Sequence, residues 1–532
     1  MNRAVWPKGL TNPFSDPNSY RQHILAHSLV SLDINEYSGK SFMCVFFTRF
    51  CGVGCPFCFF KSAPMRGELT VADQFTEEGI DKFIAFCNQA NLGYVLISGG
   101  GEPLTQKRAV LRTIAEVETN RIVLVTSGNW AMNKQAAQKY LAEIDEAMRA
   151  RKNPCKVTVR VSVSAGHAIK LGTTAAANII ELFESNYSDH PYLKFQIHAF
   201  ENDPMLHKVL ECFPGSILRF DTGERSSDDE KVIKVIPKKG YVRLSTGYEF
   251  IVGVSKVFNS GLRPNLHQIE THKATMKVFD RDLEESEDNN SAVLFNCDGK
   301  KGLDWSLNYN GNICQWQNQV NDNQFNIYED SFDKTLAGSF QDPLIFSYIE
   351  KGRLYREKII SEVSPRAVLR QKAISLRDFS GTILFEEEKT RLYYAVRALQ
   401  DYYQENRVVQ SELDQLPDEL KYLITATPEV ARELYNSVAY TIVDQYKKKP
   451  FDTTQWHDLL ELIKLGHYDL SREQIDDALT YYNERTEKKK YAAIEDVEHE
   501  TGEDVQKRMV RRLMYMKPSS YKLLQPQLVG SL

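Results

Sequence analysis

Cys51-Gly52-Val53-Gly54-Cys55-Pro56-Phe57-Cys58 places three cysteines within eight residues, directly after an apolar run, Phe42 to Phe47, that reads as a buried strand. Thiolates at this spacing on a tight loop bearing Gly and Pro can converge on one soft metal centre. Three sulfur ligands leave one iron of a 4Fe–4S cube without a protein ligand, and an open iron is a place for chemistry. Two plainer readings fit less well. A structural zinc site takes four ligands in two separated pairs, and no matching Cys/His knuckle lies nearby. A bacterial ferredoxin run has a further Cys-x-x-Cys element and a fourth cysteine followed by proline, which this stretch lacks.

Tyr94-Val95-Leu96-Ile97-Ser98 reads as the next buried strand and runs into Gly99-Gly100-Gly101-Glu102-Pro103. Glycines at the C-terminal end of a strand let the backbone approach a ligand closely, and the carboxylate supplies an acceptor for a cation. Alone, such a stretch is weak evidence. One strand–helix unit after the cysteines it is specific. In this pairing the chain resembles the radical S-adenosylmethionine (radical SAM) superfamily. That core carries CxxxCxφC, φ being an aromatic, after its first strand and GGEP after its second. Phe57 stands at the aromatic position.

The resemblance implies roles residue by residue. Cys51, Cys55 and Cys58 hold the 4Fe–4S cluster, and the amine and carboxylate of SAM chelate the remaining iron. Gly100, Gly101 and Glu102 receive the SAM amino group, and Phe57 lies near the adenine. The third strand, Ile122 to Val125, ends in Thr126-Ser127-Gly128-Asn129, where the family often has a Thr-Asn-Gly-like turn near the ligand; Ser127 therefore joins the cofactor set. The implied chemistry is one-electron reductive cleavage of SAM to methionine and a 5′-deoxyadenosyl radical, which takes hydrogen from an unactivated C–H bond. A reducing partner such as flavodoxin or ferredoxin is implied with it. The protein then binds, orients and excludes side reactions, so no recognisable catalytic triad is needed, and none is found.

The fourth strand, Val157 to Ser164, alternates Val157, Val159, Val161 and Val163 with Thr158, Arg160, Ser162 and Ser164. A period of two puts one face on packing helices and the other in a polar lumen. Ser162 and Ser164 fit a ribose or carboxylate contact, and Arg160 helps neutralise the SAM carboxylate. The family often has an Asp shortly after this serine, whereas this chain reads Ser164-Ala165-Gly166-His167. Ordinary hydrogen-bonded polar groups are the plainer reading of these positions. On the fifth strand Lys194, Gln196 and His198 share one face. Gln196 and His198 either touch the ligands or are simply buried and hydrogen-bonded.

Length and composition fit a large cytosolic enzyme. At about 100–200 residues per domain, 532 residues suggest about three domains. Hydrophobic content of 42% and charged content of 26% are ordinary for a globular chain. A net charge of −5 makes no case for bulk nucleic-acid affinity, so a nucleic-acid partner is not expected. No apolar run approaches the ~18 residues of a membrane span, and the start lacks an apolar secretory core. Nine cysteines without scaffold-like spacing fit a reducing compartment, and the cytoplasm is the expected location.

The expected fold is α/β: a partial (β/α)6 radical SAM barrel, a β-rich SPASM/twitch-like domain and an α-helical C-terminal domain. The expected boundaries are an N-terminal extension over 1–41, the core over 42–222, the twitch-like domain over 223–360 and the helical domain over 361–532. Ile80, Phe83, Ile84 and Cys87 fall at helical spacing, making Cys87 a core residue. Leu193 to Phe200 and Ser216 to Asp221 are the fifth and sixth strands, and six such units carry ligands at the C-terminal strand ends. Beyond Thr222 the sequence becomes β-rich, with turns expected at Lys239-Gly240 and Thr246-Gly247. Leu283 to Asn290 reads as a solvated acidic loop.

Cys297 and Cys314 flank a hairpin signal at Asn310-Gly311. This arrangement looks like the opening of the SPASM or twitch extension, which starts an auxiliary iron–sulfur site. The departure is that no cysteine follows Cys314, so two thiolates cannot complete a four-Cys cluster, unless Cys212 or a non-Cys ligand contributes. The fold without its cluster is the reading preferred. Farther on, Trp456, Leu459, Leu460 and Ile463 form one helix face, and Ser471 to Gln474 is a capping box opening another helix. Its charged surface reads as solvated rather than nucleic-acid-binding.

Extended members of that superfamily often modify peptides or proteins, so a peptide or protein substrate is expected, by analogy of fold. The alternative enzyme acts on a small molecule, nucleotide or sugar. A reading from another class is a non-catalytic iron–sulfur protein for sensing or scaffolding.

Overall fold

The structure is a computed structural model that describes residues 6–55, 62, 73–200, 203–220, 238–255, 293–295, 301–315, 325–365, 384, 387–464, 468 and 470–486. Its centre is a twelve-stranded sheet. In chain order the strands are β1 (Ser41–Phe46), β2 (Leu92–Ser98), β3 (Arg121–Thr126), β4 (Lys156–Val163), β5 (Leu193–Phe200), β6 (Ile217–Phe220), β7 (Lys238–Arg243), β8 (Glu249–Ser255), β9 (Val293–Phe295), β10 (Lys301–Leu307), β11 (Asn312–Gln315) and β12 (Phe325–Asn326). They lie in the order β12-β11-β10-β1-β2-β3-β4-β5-β8-β7-β6, with β9 paired to β10. Every pair from β10 through β1 to β5 and on to β8 is parallel. The strand ends that follow β1 to β5 therefore emerge on one side.

Helices cover this sheet for reasons legible in the chain. After α1 (Pro17–Leu25), α2 (Glu77–Gln89) opens on Thr76, whose side chain accepts from the Gly79 amide at 3.1 Å. Glu77 and Glu78 in its first turn favour the positive end of the helix dipole. Ile80, Phe83, Ile84 and Cys87 are buried as expected, and Phe83 packs edge-on to Phe47. The intervening helices are α3 (Lys107–Glu116), α4 (Lys134–Arg149), α5 (Ala165–Leu171), α6 (Thr174–Asn186) and α7 (Met205–Leu210). On β4, Val157, Val159, Val161 and Val163 are buried, while Arg160 and Ser162 on the other face are half-exposed. Each buried valine contributes roughly 1.5 kcal/mol of gross burial, so the alternation fixes which face of β4 meets the helices.

Two strand expectations are corrected. Residues 217–220 do not lie beside β5: β6 is the outermost strand, antiparallel to β7, and the strand parallel to β5 is β8. Burial decides between them. Phe250, Val252 and Val254 of β8 are buried, whereas Ile217 and Phe220 are exposed, as suits an edge. Lys239-Gly240 is not a turn but the interior of β7, where Gly240 lies under the Phe220 ring and a Cβ would meet that ring at 2.9 Å. The Thr246-Gly247 turn is present, with Gly247 at φ +95°. So is the Asn310-Gly311 turn, at φ +86°, joining β10 to β11.

The sheet is continuous past residue 222, because β7, β8, β10 and β11 extend it on both sides. The N-terminal segment packs on helices from the far end of the chain. Phe14 stacks edge-on with Tyr435, and Arg21 pairs with buried Asp342 at 2.6 Å. One core runs from Phe14 to Tyr435. Within it Arg397, on the helix Glu388–Gln404, reaches Glu362 at 3.0 Å and Asp401 at 3.2 Å. A smaller core gathers Trp456, Leu459, Leu460 and Ile463 with Ile475, Ala478, Leu479 and Tyr482, and the Ser471–Gln474 capping box is formed. The acidic stretch 283–290 lies outside the described residues, and among those described no helix is long and apolar enough to cross a membrane.

Where β10 meets β1, any Cβ on Gly302 would collide with the backbone carbonyl of Lys40. Neither strand can yield cheaply. Gly302→Ala is therefore expected to cost about 1–3 kcal/mol, read as a lower urea midpoint, and an unchanged midpoint would refute the seating of β10 on β1.

Candidate iron–sulfur and cofactor site

The cysteine loop leaves β1 at Phe47 and is closed at its base. Arg49 N–H donates to the Asp73 carbonyl at 2.8 Å, Phe75 N–H to the Phe47 carbonyl at 3.0 Å, and the Arg49 side chain pairs with Asp73 at 2.6 Å. Within the loop Gly54 takes φ +64°, a left-handed turn between Cys51 and Cys55 that a side chain would resist. Cys55 is buried and Cys51 half-buried, and neither takes part in a disulfide among the described residues. Cys58 and Phe57 lie outside the described residues. The donors described suit a soft metal: sulfur held on a short, base-clamped loop beside further strand ends.

The glycine loop is pressed against this one. A Cβ on Gly101 would collide with the Phe50 carbonyl, and one on Gly100 would stand 3.1 Å from the Thr48 carbonyl and 2.8 Å from the Tyr309 ring. The Glu102 amide donates to the Phe50 carbonyl at 2.7 Å. Ser62 donates its hydroxyl to the Gly100 carbonyl. Only glycine permits this approach, so the two motifs quoted from the sequence form one unit.

Glu102 ties the unit to β3. Its carboxylate accepts from the Thr126 hydroxyl at 2.6 Å, the Ser127 hydroxyl at 2.6 Å, the Ser127 amide at 2.8 Å and, more weakly, the Leu104 amide at 3.4 Å. Burial raises its pKa, while the hydrogen bonds from Ser127 and Thr126 oppose the rise. Four donors occupy this carboxylate, and its geometry is that of a brace. Ser127 spends its side chain on the same brace. Gly128 follows at φ +80°, turning the chain so that Trp130 donates to the Thr126 hydroxyl at 2.9 Å.

From β4, Ser164 caps α5, and its hydroxyl lies 2.7 Å from His167 Nδ1. Ser162, half-buried, makes no side-chain hydrogen bond among the described residues. Arg160 and the β5 residues Gln196 and His198 lie on the same face. Lys170 of α5 donates to the Gly52 carbonyl at 2.7 Å, drawing the β4 side of the site onto the cysteine loop. Sequence reasoning missed Thr126, Lys170 and Tyr309. Thr126 could have been suspected from its place one residue before Ser127; nothing local marks the other two. Cys212 is exposed beyond α7, Cys297 lies outside the described residues, and Cys314 is placed only by its backbone on β11.

A family model described as a 4Fe-4S single cluster domain matches residues 37–157. That span holds Cys51, Cys55, Cys58 and the glycine loop, and the match supports an iron–sulfur protein of the radical SAM type. The match names no reaction. No curated protein matches the chain.

Glu102→Gln puts an amide donor against four donors and should cost about 1–3 kcal/mol in urea denaturation; a neutral effect would mean the brace is not formed. Burial also pushes His167 and His198 down from 6.5 to about 4. A native pKa below the unfolded one means the unfolded chain binds the extra proton. The associated stability is full above pH 6.5 and drains away as pH falls towards 4. The stability advantage of wild type over His198→Gln should thus shrink by about 2–3 kcal/mol from pH 7 to pH 4, and a constant difference would place His198 in water.

Proposed function

We propose that this chain is a radical SAM enzyme. The reading is carried by one observation: Gly100 and Gly101 lie directly against Thr48 and Phe50, at the root of the cysteine loop. In this reading Cys51, Cys55 and Cys58 hold a single 4Fe–4S cluster. When bound, the cluster and SAM together supply one-electron chemistry capable of attacking an unactivated C–H bond. The backbone of Gly100 and Gly101 would receive the SAM amino group, Glu102 and Ser127 brace that backbone, and Phe57 would serve the adenine by its place in the family motif. Ser162, its hydroxyl uncommitted among the described residues, is the better ribose contact; Ser164 serves its helix.

The wider architecture in this reading is a partial (β/α)6 barrel in which β8 supplies the sixth strand, with the β10–β11 hairpin as a twitch-like extension and the C-terminal helices as a docking domain. Tyr309, at the tip of that hairpin, closes over Gly100. A peptide or protein is the proposed substrate, on fold analogy, and a flavodoxin- or ferredoxin-like reductant in the cytoplasm the proposed electron source.

Anaerobically reconstituted protein with dithionite and SAM should release 5′-deoxyadenosine, and a Cys51→Ala/Cys55→Ala/Cys58→Ala variant should release none. Equal release from the variant, or none from wild type under any reductant, would remove the reading. Stimulation by a polypeptide fraction of lysate but not by a deproteinised extract is the outcome expected for a peptide substrate; the reverse would indicate a small molecule.

A further inference from the structure

Gly99-Gly100-Gly101 has no side chains with which to hold its own shape, and glycine gives up more backbone freedom on ordering than any other residue. Its neighbours must hold it instead. Gly101 is set by the Phe50 carbonyl and by the hydrogen-bonded Glu102 beside it. Gly100 meets the Thr48 carbonyl, the Ser62 hydroxyl and the ring of Tyr309. A Cβ on Gly100 would lie 2.8 Å from Tyr309 Cδ1 and 3.1 Å from Cε1, so the ring rests on bare backbone.

Tyr309 comes from outside both motifs. Leu307, the last residue of β10, is level with Val45 of β1, which is level with Ile97 of β2. With strands about 4.8 Å apart, β10 and β2 stand roughly 10 Å from each other, and Tyr309 crosses the end of β1 to bridge them. Its turn is tied down. The Asn308 amide donates to the Asn312 carbonyl at 2.9 Å, the Gly311 amide to the Asn308 carbonyl at 2.9 Å, and the Ile327 amide to the Gly311 carbonyl at 2.8 Å. The Asn326 side-chain amide donates to the Asn310 carbonyl at 3.2 Å. Gly311, at φ +86°, is packed against Asn326 and the Tyr328 ring, and the Tyr328 hydroxyl accepts from the Thr76 amide at 3.3 Å, at the start of α2.

The contact with Gly100 is made by the ring. The Tyr309 hydroxyl makes no hydrogen bond among the described residues, and the side chain is half-buried. Tyr309 also lies outside the span 37–157 that the family model matches.

We propose that Tyr309 is a positioning residue for the cofactor site: its ring, carried on the β10–β11 hairpin, holds Gly100 in the shape that receives the amino group of SAM. Naming SAM rests on the proposed function; the hold on the loop does not. Without the ring the glycine loop samples other conformations, and the cost of ordering it falls on the binding step. Ligand affinity drops while the cysteine loop keeps its own clamps. The hairpin is then a working part of the site.

The test uses reconstituted full-length protein: wild type, Tyr309→Phe, and the truncations Tyr309→Ala and Tyr309→Ser. Without SAM, amide hydrogen exchange across residues 99–102 should be about tenfold faster in both truncations and unchanged in Tyr309→Phe. SAM affinity by equilibrium dialysis should fall about tenfold in both truncations and stay within about threefold of wild type in Tyr309→Phe. Iron per chain should match wild type in every variant, and the cluster spectrum at saturating SAM should reach the wild-type form. A tyrosine with a purely structural role would lower the thermal midpoint and leave SAM affinity unmoved, and that result would overturn the proposal. So would a Tyr309→Phe protein as weak as the truncations, which would place the role in the hydroxyl. Exchange at the wild-type rate in both truncations would remove the hold on the loop, whatever the ligand. A wild type that binds no SAM, with the exchange effect present, would instead sink the proposed function and the ligand named here.

Discussion

The Phe50 carbonyl and Gly101 approach so closely that no side chain could stand between them. Most of the site follows from that contact. It fixes the cysteine loop after β1 against the glycine loop after β2, and the Glu102 amide closes it with a 2.7 Å hydrogen bond to the same carbonyl. Parallel pairing of β1 with β2 brings both strand ends to one side, and the glycines remove the bulk that would hold the loops apart. Cys51 and Cys55 are thereby held beside the glycine backbone, an arrangement that in the proposed reading lowers the ordering cost of binding.

Buried polar groups then fix the remaining strand ends. Glu102 links β2 to β3 through Thr126 and Ser127, and Lys170 links α5 to the cysteine loop. The Glu102 bonds lie in a largely dry setting, where each is stronger than at the surface and its loss more damaging, whereas the Lys170 bond is exposed. The same dryness keeps His167 and His198 neutral.

Much of this was legible in the sequence because it is local. Strands β1 to β5, the Cys87 helix face, the Asn310-Gly311 hairpin and the Ser471 capping box all follow from periodicity or short-range chemistry. The contact between the two motifs was legible only as a resemblance. What the sequence concealed is long-range. Ile217–Phe220 and Glu249–Ser255 both read as strands, and only tertiary burial decides that the second lies beside β5. Gly240 looked like a turn because its reason for being glycine, the Phe220 ring, lies on another strand. The commitment of Ser164 to a helix cap and of Glu102 to four donors likewise required knowing which groups meet them.

The central claim is that Cys51, Cys55 and Cys58 bind one 4Fe–4S cluster and leave one corner open to a small molecule. The most direct measurement is electron paramagnetic resonance of the reduced, oxygen-free protein with and without SAM, alongside a metal count. About four irons per chain and a cluster spectrum that shifts when SAM is added are the predicted results. Zinc, no metal, or a cluster spectrum indifferent to SAM would contradict the account.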